Sequence, residues 1–203
     1  MLNRSSQTPG PIPTKPATGR WRRFWQPSTA GSRTAVANNL PWRDLVNRRD
    51  VLILDIRPTR ATDRSDMLQL ALIDTTGAAR FAARFATAER PLPRFAADAV
   101  GAATDVLPWS KVHGPLVQAL EGVAVVLAWD APSNARLLAR TARKHGQRPP
   151  TVPWRDLRAD YRKLGYLNDR LTTAARRHVA GGVIPGPLSS CYRILVVMNA
   201  CSN

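Results

Sequence analysis

The sequence predicts a mixed α/β fold with one central sheet flanked by helices. Its 203 residues are 44% hydrophobic and 22% charged, which is the composition of an ordinary globular domain. Two short apolar runs, residues 50–56 and 123–129, have the length and continuity of strands buried on both faces. Segments with apolar residues at helical spacing follow in the second half of the chain. Elements in this order are typical of an α/β domain.

Residues 1–35 are predicted to form a disordered basic arm, which leaves residues 36–203 as the folded domain. The arm has six basic residues, no acidic residue and five prolines, and it lacks helical or strand periodicity. Aromatic and cationic side chains alternate within it at Trp21, Arg22, Arg23, Phe24 and Trp25. This composition suits stacking on unpaired bases and contact with phosphates, and it also suits docking into a protein groove. We expect a binding element for RNA, DNA or a partner protein, with packing against the domain as the alternative.

Three strands are predicted in the first half of the domain. A short helix over residues 38–46, with Asn38 at its start, leads into the buried strand 50–56. Residues 67–74 alternate in polarity and end at a Thr-Thr-Gly turn, after which residues 79–85 form the next strand. These two segments predict a hairpin beside the first strand.

Helices dominate the second half. Residues 107–120 have helical spacing, and residues 123–129 form another buried strand. The helix predicted over 131–145 turns Leu137, Leu138 and Ala142 inward. Its cationic residues share an outward face, and they are Arg136, Arg140 and Lys144.

Further helices are expected over residues 154–165 and 169–180. Arg155, Arg158 and Arg162 lie on one face of the first of these. Residues 188–198 suggest a final helix, although residues 194–198 equally suit a strand. Residues 140–180 contain 11 Lys and Arg against three Asp, which is half of the excess charge. These cationic faces are candidates for nucleic-acid contact, and a solvated helical face is the alternative.

The charge predicts a polyanionic partner. The chain has 30 Lys and Arg against 14 Asp and Glu, a net charge of +16, and 26 of the 30 are Arg. Self-repulsion at this charge costs stability, and nucleic acid is the most common partner that compensates for it. The planar guanidinium also bonds phosphate through two groups and stacks on bases. Codon bias explains a high ratio of Arg to Lys but not the sign of the charge. We therefore expect nucleic acid, not a membrane, as the partner.

Cysteine content and hydropathy predict a cytoplasmic protein. The two cysteines, Cys191 and Cys201, cannot build a disulfide framework. The longest apolar run, residues 123–129, is far shorter than the roughly 20 residues of a membrane-spanning helix. The first 20 residues are polar and rich in proline, unlike a signal peptide.

The order of the motifs resembles the DEDD-type 3′ to 5′ exonucleases, the family of the DNA polymerase III proofreading subunit and ribonuclease T. The resemblance covers residues 48–200 and rests on three motifs. They are a strand that ends at Asp55, the Asp-Thr-Thr-Gly turn at residues 74–77, and Trp-Asp-Ala-Pro at residues 129–132 followed by Arg-Leu-Leu at 136–138. It implies a ribonuclease H-like fold. It also implies a site in which four carboxylates hold two divalent metals and a histidine acts as general base.

Most of the residues that this chemistry needs are replaced. The first family motif, Asp-x-Glu, corresponds to Asp55 and Arg57, so a cation stands at the second carboxylate position. The third carboxylate position holds Asn134. The last motif, His-x-Ala-x-x-Asp, aligns with residues 185–190, which puts Pro185 at the base and Ser190 at the fourth carboxylate position. One carboxylate of four remains, and Arg57 beside it repels divalent cations.

We therefore expect a catalytically inactive, nucleic-acid-binding exonuclease-like protein without a cofactor, acting as a subunit of a nucleoprotein complex. Arg57 is expected to contact a phosphate where a metal lies in the family, and the helical arginines to follow a single strand or its backbone. One alternative is an active exonuclease that binds Mg²⁺ or Mn²⁺ through Asp55 and Asp130, helped by other acids. Candidates for those acids are Asp156, Asp160 and Asp169. The other alternative is a protein-binding adaptor. His113, His145 and His178 lack the spacing of metal ligands.

Overall fold

The computed structural model describes residues 41–60, 62, 65–85, 106–178 and 188–202. The predicted arm, with Trp21, Arg22, Arg23 and Trp25, lies outside the described residues, as does Pro185. Within the described part of the chain, no helix has the length and apolar character needed to cross a bilayer.

Strands and helices occur in the predicted order. The strands are β1 (Val51–Pro58), β2 (Met67–Asp74), β3 (Ala79–Phe85), β4 (Val106–Leu107), β5 (Val125–Ala128) and β6 (Trp154–Asp156). The helices are α1 (Trp42–Leu45), α2 (Trp109–Ala119), α3 (Ala131–Lys144), α4 (Leu157–Lys163), α5 (Leu171–His178) and α6 (Ser189–Ala200).

The six strands form one mixed sheet in the order β4-β3-β2-β1-β5-β6. β1, β2 and β3 are antiparallel neighbours, because the tight turn at Thr75, Thr76 and Gly77 returns the chain beside itself. Asp74 Oδ1 accepts the backbone N–H of Thr76 at 2.9 Å, and Gly77 supplies the positive φ of 88°. β5 runs parallel to β1, and β6 runs parallel to β5. Because Ile53 pairs with Leu127, the end of β5 lies beside the middle of β1, which continues to Pro58, and this brings Asp130 near Asp55.

Each face of the sheet has its own apolar core. Alternate residues of β1, such as Val51 and Ile53, pack with α6, α1 and α4. The intervening residues, such as Leu52 and Leu54, pack with α2 and α3. Because side chains alternate across a strand, Asp55 belongs to the face that α6 covers.

In two places a short strand occupies the predicted start of a helix. Residues 154–156 form the edge strand β6, where Ala128 pairs with Asp156, so the helix predicted from Trp154 starts at Leu157. Asp156 fixes that start, since its side chain accepts the N–H of Arg158 at 3.1 Å. Likewise Leu107 of β4 pairs with Phe85 of β3, and the next helix starts at Trp109. Both short strands depend on distant partners, which local periodicity does not report.

The ambiguous C-terminal segment is a helix. α6 spans Ser189–Ala200 and buries Cys191, Ile194, Leu195 and Met198 against the sheet. The predicted bounds of β2 and β3 are confirmed.

Candidate functional site

Asp55 lies in β1 beneath the first turn of α6. It pairs with Ala71 of β2, and Cys191 Sγ of α6 donates a hydrogen bond to the Ala71 carbonyl at 3.5 Å. This contact sets the start of α6 over the carboxylate, and Ser190 donates a hydrogen bond to Asp55. Burial raises the pKa of the Asp55 carboxyl, and this is only partly opposed by Ser190 and by the charges of Arg57 and Arg193.

The contact between Ser190 and Asp55 supports the alignment of the last family motif. In that alignment Ser190 stands at the fourth carboxylate position, and the structure brings it onto the one carboxylate that remains. A hydroxyl donor here stabilises the Asp55 carboxylate directly, whereas a second carboxylate would need a cation between the two. The local charge is therefore balanced by side chains of this protein.

Arg57 lies two residues after Asp55 and on the same face of the sheet. It is partly buried, and its charge lowers the pKa of the Asp55 carboxyl. Its neighbour across the sheet is Gln69, which in turn pairs with Arg84 of β3. Since opposed residues of antiparallel strands share a face, Arg57 and Arg84 lie in one row beside Asp55.

A cleft of about 470 Å³ opens at the sheet edge next to Asp55. Asp55 and Asn134, which the sequence alignment places at the family's first and third carboxylate positions, both line it, together with Asp130. Its cationic lining comes from Arg60 after β1 and from Arg136 and Arg140 on α3. Arg57 is not among the residues lining this cleft.

Asp130 caps α3 and also contacts a cation. Its Oδ1 accepts the N–H of Ser133 at 3.1 Å, and its Oδ2 lies 3.8 Å from Arg158 Nη1. Asp55 and Asp130 thus share the cleft, as the active-exonuclease alternative requires. Within the described ranges, however, there is no group of three or more His, Cys, Asp and Glu that could hold a metal ion. The side chains that the structure describes do not fit a two-metal site.

The three further acids have partners within α4 and its surroundings. Asp156 caps α4, and burial raises the pKa of its carboxyl. Asp160 accepts a hydrogen bond from Arg155 Nε at 2.7 Å. Asp169 accepts a hydrogen bond from Arg158 Nε at 2.8 Å and another from Arg162 Nε. The Arg158 hydrogen bond is the largest cause of the lowered pKa of the Asp169 carboxyl.

Arg155 lies on β6 and not on a helical face with Arg158 and Arg162 as predicted. The ion pairs give all three arginines a structural role. Arg155 is largely buried, with a side chain 13% exposed, whereas Arg158 and Arg162 are 36% and 58% exposed. Their charge is partly balanced by Asp160 and Asp169. Any phosphate contact at this face would have to share Arg158 and Arg162 with Asp169.

The predicted face of α3 divides into two parts. Arg136 is exposed in the cleft, and its Nη2 lies 3.3 Å from Ser133 Oγ. Arg140 donates to the Ser65 carbonyl, and Lys144 Nζ bonds Asp66 Oδ1 at 2.7 Å. Arg140 and Lys144 therefore connect α3 to the segment between β1 and β2.

Two further cationic residues, Arg60 and Arg193, were not predicted. Arg60 is brought to the cleft by the end of β1, and Arg193 lies one helical turn after Ser190 on α6. The i, i+3 spacing of Ser190 and Arg193 was visible in the sequence. The position of α6 over Asp55 was not.

The described residues share their fold with DEDD-type exonuclease domains. No protein-family model and no curated protein sequence matches this chain. Among solved structures, the nuclease domain of 3′hExo, a DEDDh family member bound to rAMP, matches with a TM-score of 0.56 and 12% identity, over 75% of this chain and 92% of that chain. The RNase domain of the yeast Pop2 protein matches with a TM-score of 0.53 and 14% identity, over 85% and 81%.

A third match comes from the structure of the yeast NOT1 MIF4G domain co-crystallized with CAF1, with a TM-score of 0.50, 14% identity, and coverage of 84% of this chain and 83% of that chain. At these identities the likeness concerns the fold. It confirms the predicted mixed α/β, ribonuclease H-like architecture of the exonucleases.

Proposed function

We propose that this protein binds single-stranded nucleic acid in the cleft beside Asp55 and does not cut it. The observation that carries the proposal is the set of side chains around Asp55. Where the family has three more carboxylates, this chain has Arg57, Asn134 and Ser190, and Ser190 bonds directly to Asp55.

Charge is the physical reason for inactivity. Cleavage by two metals depends on clustered carboxylates that neutralise both cations and hold them in line with the scissile bond. Arg57 and Arg193 instead direct positive charge at Asp55. Divalent cations would be repelled by these guanidinium groups, whereas a phosphodiester would be attracted.

The cleft supports binding to the backbone of a strand. Three arginines line it, and they are Arg60, Arg136 and Arg140. The Asp130 carboxylate, which also lines it, lies 3.8 Å from the Arg158 guanidinium, which partly balances its negative charge. Guanidinium groups spaced along a cleft bind successive phosphates without reading the bases. We expect recognition that depends little on sequence and strongly on salt.

A role as a subunit of a nucleoprotein complex in the cytoplasm completes the proposal. It rests on the composition of the basic arm, whose aromatic and cationic residues suit a partner protein as well as a nucleic acid. One structure of the same fold, from yeast, holds the NOT1 MIF4G domain together with CAF1. This co-crystal supports a protein partner as part of the proposal.

The decisive experiment is fluorescence anisotropy of end-labelled DNA and RNA single strands at about 50 mM and 200 mM salt. Wild-type protein should bind both, with affinity falling steeply as salt rises. Arg136→Ala should weaken binding and reduce the salt slope by about 1, since one phosphate contact is lost. Arg43→Ala is the matched control, because the Arg43 side chain is 71% exposed on α1 and does not line the cleft. Absence of binding at about 50 mM salt would favour the protein-binding adaptor.

The second candidate is an active metal-dependent exonuclease, and one observation favours it: Asp55 and Asp130 line the same cleft. An end-labelled strand incubated with Mg²⁺ or Mn²⁺ tests this directly. Shortening that needs the metal and disappears in Asp55→Ala would overturn the proposal of a non-cutting protein.

A further inference from the structure

We infer that a second cavity, next to the cleft, is a binding pocket for one unpaired base of the strand held in the cleft. The inference rests on the proposed function, and it adds a subsite that reads a planar base beside the arginines that hold phosphates.

The second cavity has a volume of about 350 Å³ and lies between α2, the end of α3 and the ends of β2 and β3. This is within the range of roughly 300 to 1,000 Å³ typical of small-molecule sites. Trp109 and Phe85 line it on the apolar side, and Lys144 and His145 line it on the polar side.

Its aromatic side chains suit a flat ligand. Trp109 is 3% exposed, and its ring centroid lies 5.8 Å from that of Phe85. The exposed His145 ring stacks nearly parallel to Trp109, with centroids 6.2 Å apart and an angle of 26°. Of these three rings, His145 is the exposed one, and a base can stack on it because every base has a π-face.

Trp109, which lines the pocket, has a buried N–H donor without an acceptor among the described residues. Trp109 Nε1 is buried and has no hydrogen-bond partner in the part of the chain that the structure describes. Nearly all buried polar groups in native proteins are paired, and an indole N–H can only donate. Nucleobases carry ring nitrogens and carbonyl oxygens that accept hydrogen bonds, so a base in the pocket would supply the missing partner.

The pocket and the cleft share a wall. Arg140, which lines the cleft, bonds Ser65, and one turn later Lys144, which lines the pocket, bonds Asp66 at 2.7 Å. Two cations thus lie along the boundary of the two cavities. A strand in the cleft could keep its phosphates near Arg140 and Lys144 while one base enters the pocket.

NMR with the full-length protein tests this inference. The indole N–H signal of Trp109 is the one that disappears in Trp109→Phe, a variant that keeps an aromatic ring. In the wild-type protein, this Trp109 signal should shift on titration with AMP and with an oligonucleotide. It should not shift with ribose 5-phosphate, which has no base. Trp154→Phe is the matched control, because Trp154 lies on β6 and does not line the pocket.

Anisotropy then separates a strand from a free nucleotide. Trp109→Phe should weaken oligonucleotide binding about five- to tenfold, the value of one hydrogen bond. A strand that lacks the one base expected to enter the pocket should bind the wild type more weakly than the intact strand does. Trp109→Phe should bind the two strands equally. His145→Ala, at an exposed position, should repeat the loss if Trp109→Phe fails to fold.

Each outcome decides the inference. If oligonucleotides bind with steep salt dependence but Trp109→Phe and His145→Ala change nothing, the base pocket is refuted and the proposed function stands. If AMP shifts the Trp109 indole signal but neither Trp109→Phe nor His145→Ala changes the affinity for oligonucleotides, the pocket is a free-nucleotide site. The inference about the strand is then wrong. If no oligonucleotide binds, the proposed function fails as well.

Discussion

The hydrogen bond between Ser190 and Asp55 is the contact whose removal tests the site most directly. Ser190→Ala removes the hydroxyl that donates to a partly buried carboxylate and leaves its burial unchanged. Hydrogen bonds to charged groups contribute about 1.5 to 3 kcal/mol. Because both side chains keep some contact with solvent, we expect the lower half of this range, about 2 kcal/mol. For a chain of this size that lowers the melting temperature by about 4 to 8 °C.

A double-mutant cycle with Asp55→Asn isolates this interaction. Urea unfolding of the wild type, both single variants and the double variant at pH 7 should give a coupling energy of about 1 to 2 kcal/mol. Ser110→Ala, at an exposed position of α2, is the control and should change stability by less than about 0.5 kcal/mol. Additive single effects at Ser190 and Asp55 would refute the geometry of the site.

The same variants predict a dependence on pH. Since the pKa of the Asp55 carboxyl is raised in the folded state, its burial penalty is fully present above that pKa and is relieved as pH falls toward the unfolded value of about 4. Asp55→Asn should therefore unfold at higher urea than the wild type at pH 7, with the advantage shrinking in acid. An advantage that is constant with pH would contradict a buried charge at Asp55.

Two other predictions concern the acids and the lost ligands. The pKa of the Asp169 carboxyl is lowered, mainly by the Arg158 hydrogen bond, so its contribution is present above pH about 4 and is lost as pH falls through the folded pKa. Asp169→Asn should destabilise the protein at pH 7 but not in strong acid, as measured by unfolding at several pH values; an equal loss at all pH values would exclude the ion pair. The triple variant Arg57→Glu, Asn134→Asp, Ser190→Asp restores the family's carboxylates, so Mn²⁺ should raise its melting temperature and leave that of the wild type unchanged. A rise in the wild type would show a metal site in the natural protein.

Several elements were predictable because their signals are local. β2 and β3 are joined by a turn that Gly77 permits, and both strands have their predicted bounds. The apolar stripe of α3 and the Asp130 cap lie within one segment, which made this helix predictable as well. β6 was missed because Trp154 is held by pairing with β5, a contact between distant parts of the chain.

The candidate site was also predictable only in part. The sequence predicts that Arg57, Asn134 and Ser190 replace family carboxylates, because motif spacing aligns residues without coordinates. The partners of the arginines were not visible. Asp160 on α4 bonds Arg155 on β6, and Asp169 bonds two arginines of α4. Residue spacing alone did not show which acid reaches which arginine.

The sequence alone therefore determined the charge of this protein, and it predicted the class of fold and the replacement of the family's carboxylates, since these depend on composition and short-range order. Only the tertiary structure decided which cations face the cleft, that Ser190 lies on Asp55, and that Trp109 keeps a donor without an acceptor among the described residues. The physical reason is that burial and hydrogen bonding act over a few ångströms, and folding brings to that distance residues that are far apart along the chain.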